Sequence, residues 1–326
     1  MKITITPLAA YTILMAVATS IGMASIKSAG AAEPIVIGTA SPGGPYLAYG
    51  QGLARILSRE LGQEVTAQAT QGPAQNIALL EKQEVQLAFI TMGVGMQAWN
   101  GTDWTKGTRY RSMRVIFPMY DTAFQFVAAK HLRINKLDDL TGLRIGVGPR
   151  AGTGGTYVPE IFKALDINVS VRYGAVESMG SQLISGELDG IVFGTGYPVP
   201  ALVGLSAAHP VDFIQPSDQQ VATIRKRMPE ISPSVVPVGT YPSLLSDYHT
   251  VGLYNFAIVH KELTDDVVYK IVKAVFKNHE ELVRAQSSAS ETIPANIKRN
   301  IFLPVHPGAA RYYREIGISV PTENIP

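Results

Sequence analysis

The stretch that most restricts the fold is Val147-Gly148-Pro149-Arg150-Ala151-Gly152-Thr153-Gly154-Gly155-Thr156-Tyr157-Val158-Pro159. Its plan occurs earlier, in Ile37-Gly38-Thr39-Ala40-Ser41-Pro42-Gly43-Gly44-Pro45-Tyr46-Leu47-Ala48. Each reads as a short apolar strand, a Gly-rich turn, and a helix with an aromatic in its first turn. Such a turn gathers unpaired backbone N–H groups and the positive end of a helix dipole at one spot, which suits an anion. Two of them, far apart in the chain, predict two lobes, each offering a cradle to one ligand between them.

The surrounding pattern supports this plan. Ile35–Thr39, Val65–Thr70 and Leu87–Thr91 read as strands. Between them, Pro45–Leu61 has Leu47, Leu53, Ile56, Leu57 and Leu61 at helical spacing, and a second helix runs to Glu81 with Pro73 in its first turn. This alternation argues for parallel βαβ units. It recurs as strand Leu143–Val147, helix Gly155–Leu165, strand Val169–Tyr173, helix Val176–Ser185 and strand Leu188–Phe193, with Pro198 starting another helix. The extended segments Arg114–Met119 and Phe124–Ala129 would carry the chain to a second lobe, and Thr250–His260 would carry it back. A helix from Thr264 to Gln286 and another over Ala309–Ile316 complete the reading. The expected division is a first lobe of residues 33–123 plus 251–326 and a second of 124–250. A single large doubly wound sheet is the alternative.

Residues 1–32 read as a secretory signal: Lys2, an apolar run from Leu8 to Met23, then small residues, with cleavage after Ala31 or Ala32. The apolar run is short of the ~20 residues a membrane span needs. Losing Lys2 and Lys27 lowers the 28 basic residues to 26, equal to the 26 acidic ones, so the mature chain is formally neutral. A neutral chain gives no reason to expect nucleic acid or an anionic membrane surface as a partner. The chain has no cysteine, which excludes disulfides, thiolate metal sites, a cysteine nucleophile and a lipid-anchored cysteine. The expectation is a periplasmic monomer stabilised by its core alone.

Signals for catalysis are weak. Gly146-Val147-Gly148-Pro149-Arg150-Ala151 matches a dinucleotide fingerprint formally. However, the next strand ends in Tyr173-Gly174 where an acid should meet a ribose, and Pro149 lacks an N–H that a pyrophosphate would use. There is no phosphate-binding P-loop and no Gly-x-Ser-x-Gly elbow. The six histidines are scattered without metal-ligand spacing, and His279-Glu280-Glu281 reads as a solvated helix face. No catalytic residue, metal or cofactor is predicted.

The candidates for ligand contact are residues at the carboxyl ends of the strands. In the first lobe these are Gly43, Gly44, Tyr46, Gln75, Asn76 and Thr91. In the second they are Arg150, Gly152, Thr153, Gly154, Gly155, Thr156, Thr195 and Gly196. The set is neutral and polar apart from Arg150, whose guanidinium would suit a carboxylate or sulfonate. Several have a plainer reading: Gly43-Gly44 and Gly154-Gly155 as tight turns, Arg150 as a surface cation, Tyr46 as core, and Gln75 and Asn76 as helix caps. Trp99 and Trp104 read as packing or rim residues.

Several of these segments resemble the TAXI-type solute-binding proteins of TRAP transporters. They are Ile37–Ala48, Gln71–Asn76, Leu137–Gly155, Gly186-Glu187-Leu188-Asp189-Gly190, Thr264-Asp265-Asp266-Val267-Val268-Tyr269 and His306-Pro307-Gly308-Ala309, which occur in that order along the chain. The resemblance implies an α/β fold of the type II periplasmic-binding-protein kind, two lobes with crossing hinge strands and a central ligand cleft. It also implies capture of a small organic anion, such as glutamate, a related dicarboxylate or a keto acid, for delivery to a TRAP membrane permease. A ligand-sensing module for a signalling receptor is the alternative. The chain departs from the family pattern at Gly72-Pro73-Ala74-Gln75-Asn76, at Thr91-Met92-Gly93 and at Arg150. These changes remove an acid and a hydroxyl and add a cation, which favours an anionic, partly apolar acid over one with an amino group.

Overall fold

The computed structural model describes residues 34–320 together with Met1. The predicted signal segment lies outside the described residues. Ten strands occur among them: β1 (Ile35–Gly38), β2 (Val65–Gln68), β3 (Leu87–Thr91), β4 (Met113–Ala129), β5 (Arg144–Gly146), β6 (Ser170–Arg172), β7 (Gly190–Thr195), β8 (Val211–Phe213), β9 (Ser232–Val236) and β10 (Tyr248–His260). The helices of the first part are α1 (Pro45–Leu61), α2 (Pro73–Glu81) and α3 (Met92–Asn100). They are followed by α4 (Thr153–Ala164), α5 (Val176–Ile184), α6 (Pro200–Ala208) and α7 (Asp218–Arg227), and then by α8 (Asp265–Lys277), α9 (His279–Ala285) and α10 (Pro307–Glu315).

The strand order is β2-β1-β3-β10-β4-β7-β5-β6, with β8 added on β4 and β9 on β10. β1 runs parallel to β2 and β3, and β5 parallel to β6 and β7. β10 is antiparallel to both β3 and β4, and β4 is antiparallel to β7. The sheet therefore has two like halves, each of three parallel strands closed by one antiparallel strand, joined along β10 and β4. A doubly wound sheet would be parallel through its middle, and this one is not. The arrangement is the two-lobe, type II binding-protein architecture, with long strands shared between the halves.

β4 is one strand where the sequence reads as two segments. Pro118 has no N–H for a ladder, and it lies where the β10 pairing slips between Tyr254 and Phe256. The expected helix from Thr264 to Gln286 is two helices, broken at Asn278 (φ −108°, ψ 27°), whose Nδ2 donates back to Ala274 O at 2.8 Å. α3 follows β3 directly, in a stretch the sequence pattern leaves as a turn. α6 begins at Pro200 rather than Pro198.

Packing follows the apolar periodicity. α1 buries Tyr49, Leu53, Ile56 and Leu57 on one face and ends at Gly62, in the left-handed region at φ 67°, with its N–H on Ser58 O. Fully buried Phe89, Phe117, Phe126 and Phe256 fill the sheet faces, each contributing about 1.5–3 kcal/mol of burial. Two of the motifs quoted above serve the frame. Asp189 accepts bonds from Arg144 N (2.8 Å), Nε (2.9 Å) and Nη2 (2.7 Å), locking the turn before β7 to β5. His306 Nδ1 accepts from Gly308 N–H at 3.2 Å and so caps the start of α10. Among the described residues no helix is long and apolar enough to cross a membrane.

Candidate functional site

The carboxyl ends of β1, β3, β5 and β7 deliver their turns to one place, where β4 and β10 cross. The strand-to-helix turns after β1 and β5 start α1 and α4, and the turn after β2 starts α2. All three helices open without a side-chain cap and without an acid in the first turn. By contrast α7 has a capping box at Ser217 with Asp218 behind it, and α8 begins with Asp265 and Asp266. The first N–H groups of a helix have no intrahelical acceptor. Among the described residues, the N–H groups of Tyr46 and Leu47 in α1 and of Thr153 and Gly154 in α4 find no backbone acceptor outside their own helix. α2 differs: its Ala74 N–H donates to Ala151 O at 3.0 Å, tying it to the opposite jaw.

Between α1 and α4 lies a cleft of about 60 Å³. Its polar wall includes Ser41, Tyr46, Gln71, Thr122, Thr153 and Thr195, and its apolar wall includes Val147, Pro149, Val176 and Phe193. No Asp, Glu, Lys, Arg or His lines it among the described residues. The jaws touch around it: Thr91 Oγ1 and Thr153 Oγ1 are 3.2 Å apart, and a Cβ on Gly72 would fall 2.9 Å from Gly152 Cα. Gly72 has φ 116° and ψ −160°, a conformation essentially reserved for glycine. A Cβ on Gly154 would collide with Val147 O, so only glycine allows α4 to start this close to β5.

Of the residues expected from the sequence, Gly44, Tyr46, Gly152, Thr153, Gly154 and Thr195 line this cleft. Gly43 sits beside it against Glu177, and Gly196 packs against the Tyr120 ring. Asn76 is fully buried and donates to Thr39 O (2.7 Å) and Phe89 O (2.8 Å), fastening the ends of β1 and β3. Gln75 Oε1 accepts from Gln71 N–H. Arg150, Gly155 and Thr156 line an outer groove of about 620 Å³ with Trp104, Lys106 and Tyr173. There the Arg150 guanidinium stacks on Tyr173, 3.9 Å from the ring centre. Trp99 packs edge-on against Phe302.

Thr122, Phe193 and Val176 line the cleft without having been marked by the sequence. Thr122 comes from mid-β4, where only the long-range pairing with β10 brings it to the site. Behind it, fully buried Asn255 of β10 accepts from Tyr46 Oη (2.7 Å) and Thr122 Oγ1 (2.8 Å). The neighbouring Asp121 points to the opposite face of β4, as strand alternation requires. Burial pushes its carboxyl up to about 6, although Ser234 donates to it, and burial pushes nearby Glu291 up to about 7.

This architecture, with its charge-free cleft at four strand ends, is the two-lobe fold of the type II binding-protein class. The chain belongs to the NMT1-like family, whose model matches residues 37–317. It is similar in fold to MatC from Rhodopseudomonas palustris with bound malate (TM-score 0.58, 11% identity, 82% of this chain and 92% of that one). It is also similar to the periplasmic binding protein BugD (TM-score 0.56, 14% identity, 88% and 99%). A third likeness is to a structure described as a periplasmic transporter (TM-score 0.55, 14% identity, 79% and 87%).

Proposed function

We propose that this protein is the periplasmic receptor of a TRAP transporter, of the TAXI type, that captures a small organic acid anion and hands it to membrane permease subunits. The observation that carries the reading is the pair of acid-free, uncapped helix starts, α1 and α4, facing one charge-free cleft. Each contributes about half an elementary charge of positive potential, and their first-turn N–H groups are placed to bind a carboxylate. MatC holding malate and BugD being periplasmic are consistent with this. The segment 1–32 is assigned as the export signal, and the lobes as 33–123 with 251–326 and 124–250, supported by the two like half-sheets. The receptor acts as a monomer without cofactor and performs no chemistry. Its carboxylate sits on the Tyr46 and Gly154 turns, flanked by Thr153 and Thr195. Closure buries the ligand at the crossing of β4 and β10.

A ligand that binds only the folded protein raises its melting temperature by mass action. A panel of monocarboxylates, dicarboxylates, keto acids and glutamate, screened by thermal shift, should contain at least one that stabilises, and mass spectrometry should recover it unchanged. A silent panel at millimolar concentration, or turnover of the bound acid, refutes the reading.

A further inference from the structure

Asn255 decides which way two hydroxyls in the cleft can hydrogen-bond. Its Nδ2 donates to Tyr120 O at 2.7 Å, so its Oδ1 must be the atom facing Tyr46 and Thr122. The reversed amide would set two oxygens against each other at Tyr120. Oδ1 has no hydrogen, so both hydroxyls donate to it, Tyr46 from 2.7 Å and Thr122 from 2.8 Å. Neither makes another bond among the described residues. Burial holds the Tyr46 phenol well above its ordinary range, so its proton stays in place. Tyr46 and Thr122 are both buried and both line the cleft. With their hydrogens committed to Asn255, what they offer a ligand is lone pairs.

The cleft is therefore polarised. On the α1 and α4 side it presents N–H donors, and at Tyr46 and Thr122 it presents acceptors. Two helix ends supply roughly one positive charge, and among the described residues no basic side chain lines the cleft to balance a second carboxylate. An unbalanced buried ion is costly. The cleft's 60 Å³, at about 10–15 Å³ for one water-sized group, accommodates on the order of four to six non-hydrogen atoms.

We propose that Asn255 makes this cleft selective for a short 2-hydroxy monocarboxylate, whose single hydroxyl hydrogen is accepted by Tyr46 Oη or Thr122 Oγ1 while its carboxylate rests on α1 and α4. The proposal rests on the receptor reading above and narrows its ligand class. A 2-oxo acid of the same size brings a second acceptor to two acceptors, and a dicarboxylate brings a charge with no partner. Ser41 and Thr195 have freely turning hydroxyls and discriminate neither way.

Lactate and pyruvate are the decisive pair, since they differ only at C2. Calorimetric titration of the purified protein should give lactate at least about tenfold tighter binding than pyruvate, the loss expected for one unmet buried hydrogen bond. Succinate should bind more weakly than lactate. In Asn255→Leu the two hydroxyls regain their hydrogens, and the lactate-to-pyruvate ratio should fall to within about threefold. Tyr46→Phe removes one oxygen without changing shape and covers the case in which the Leu variant does not fold. It too should lower the ratio, with far-ultraviolet circular dichroism unchanged. Pyruvate or succinate binding as tightly as lactate overturns the proposal and leaves the receptor reading standing. An unchanged ratio in folded variants does the same. Silence from every acid overturns both.

Discussion

The contact between Gly72 and Gly152 offers a way to separate jaw closure from folding. In Gly72→Ala the new methyl carbon falls 2.9 Å from Gly152 Cα, well inside ordinary contact, at a backbone position of φ 116°. Holding a non-glycine residue there costs about 1–3 kcal/mol whether or not ligand is bound. Relieving the clash also requires the jaws to part, which loosens the Ala74 N–H to Ala151 O bond beside it. That bond stabilises the closed form by about 0.5–1.5 kcal/mol. The variant should therefore melt a few degrees lower without ligand and bind its acid about two- to twelvefold more weakly. Gly152→Ala makes the complementary change. Its φ of −81° accepts alanine, and the added carbon lies 3.2 Å from Gln71 O on the other jaw. The same carbon lies 3.2 Å from Pro149 O within its own turn, so the variant should weaken binding and lower unliganded melting by less than Gly72→Ala does. Differential scanning calorimetry and isothermal titration on both variants make the comparison. If Gly72→Ala matches the parent protein in melting and in affinity, the reasoning from jaw contact is refuted.

Two further outcomes are expected. Arg150 stacks on Tyr173 outside the cleft, so Arg150→Ala should change affinity for a bound acid by less than about threefold in titration. A direct pair with the ligand would instead cost ~1.5–3 kcal/mol. Asp121 and Glu291 are pushed up to about 6 and about 7 by burial, against about 4 in an unfolded chain. The folded state thus holds more protons between pH 4 and 7, and stability should fall as pH rises through that window. Denaturant midpoints should be higher at pH 4.5 than at pH 7.5, and Asp121→Asn should reduce the difference. An Asp121→Asn variant with the same pH dependence as the parent would show that this carboxyl is not buried as described.

What local sequence could reveal is clearest at α1, α2 and β3, whose limits follow from Pro45, Pro73, Gly62 and the apolar run Leu87–Thr91. Capping and periodicity are local, so they can be read without knowing the fold. β4 was obscured because Pro118 and Asp121 interrupt its apolar run, and only its pairing with β10 and β7 makes it continuous. The same non-locality hid the polar floor of the cleft. Thr122 and Asn255 sit in unremarkable strand sequence and acquire their role when β4 and β10 come together. The Gly-rich jaws were legible because a backbone cradle needs glycine where side chains would collide. Arg150 shows the converse: charge is visible in sequence, but the direction in which a long side chain turns is not.

β10 lies between β3 and β4 in space, yet it is the last strand of the sheet in sequence. As the chain emerges from its amino end, β3 and β4 must wait with bare backbone edges until residues 248–260 arrive. Exposed edges of this kind invite pairing with other chains. The middle of this sheet is thus laid last, and the interval before it arrives is when the polypeptide depends most on being kept apart from its copies.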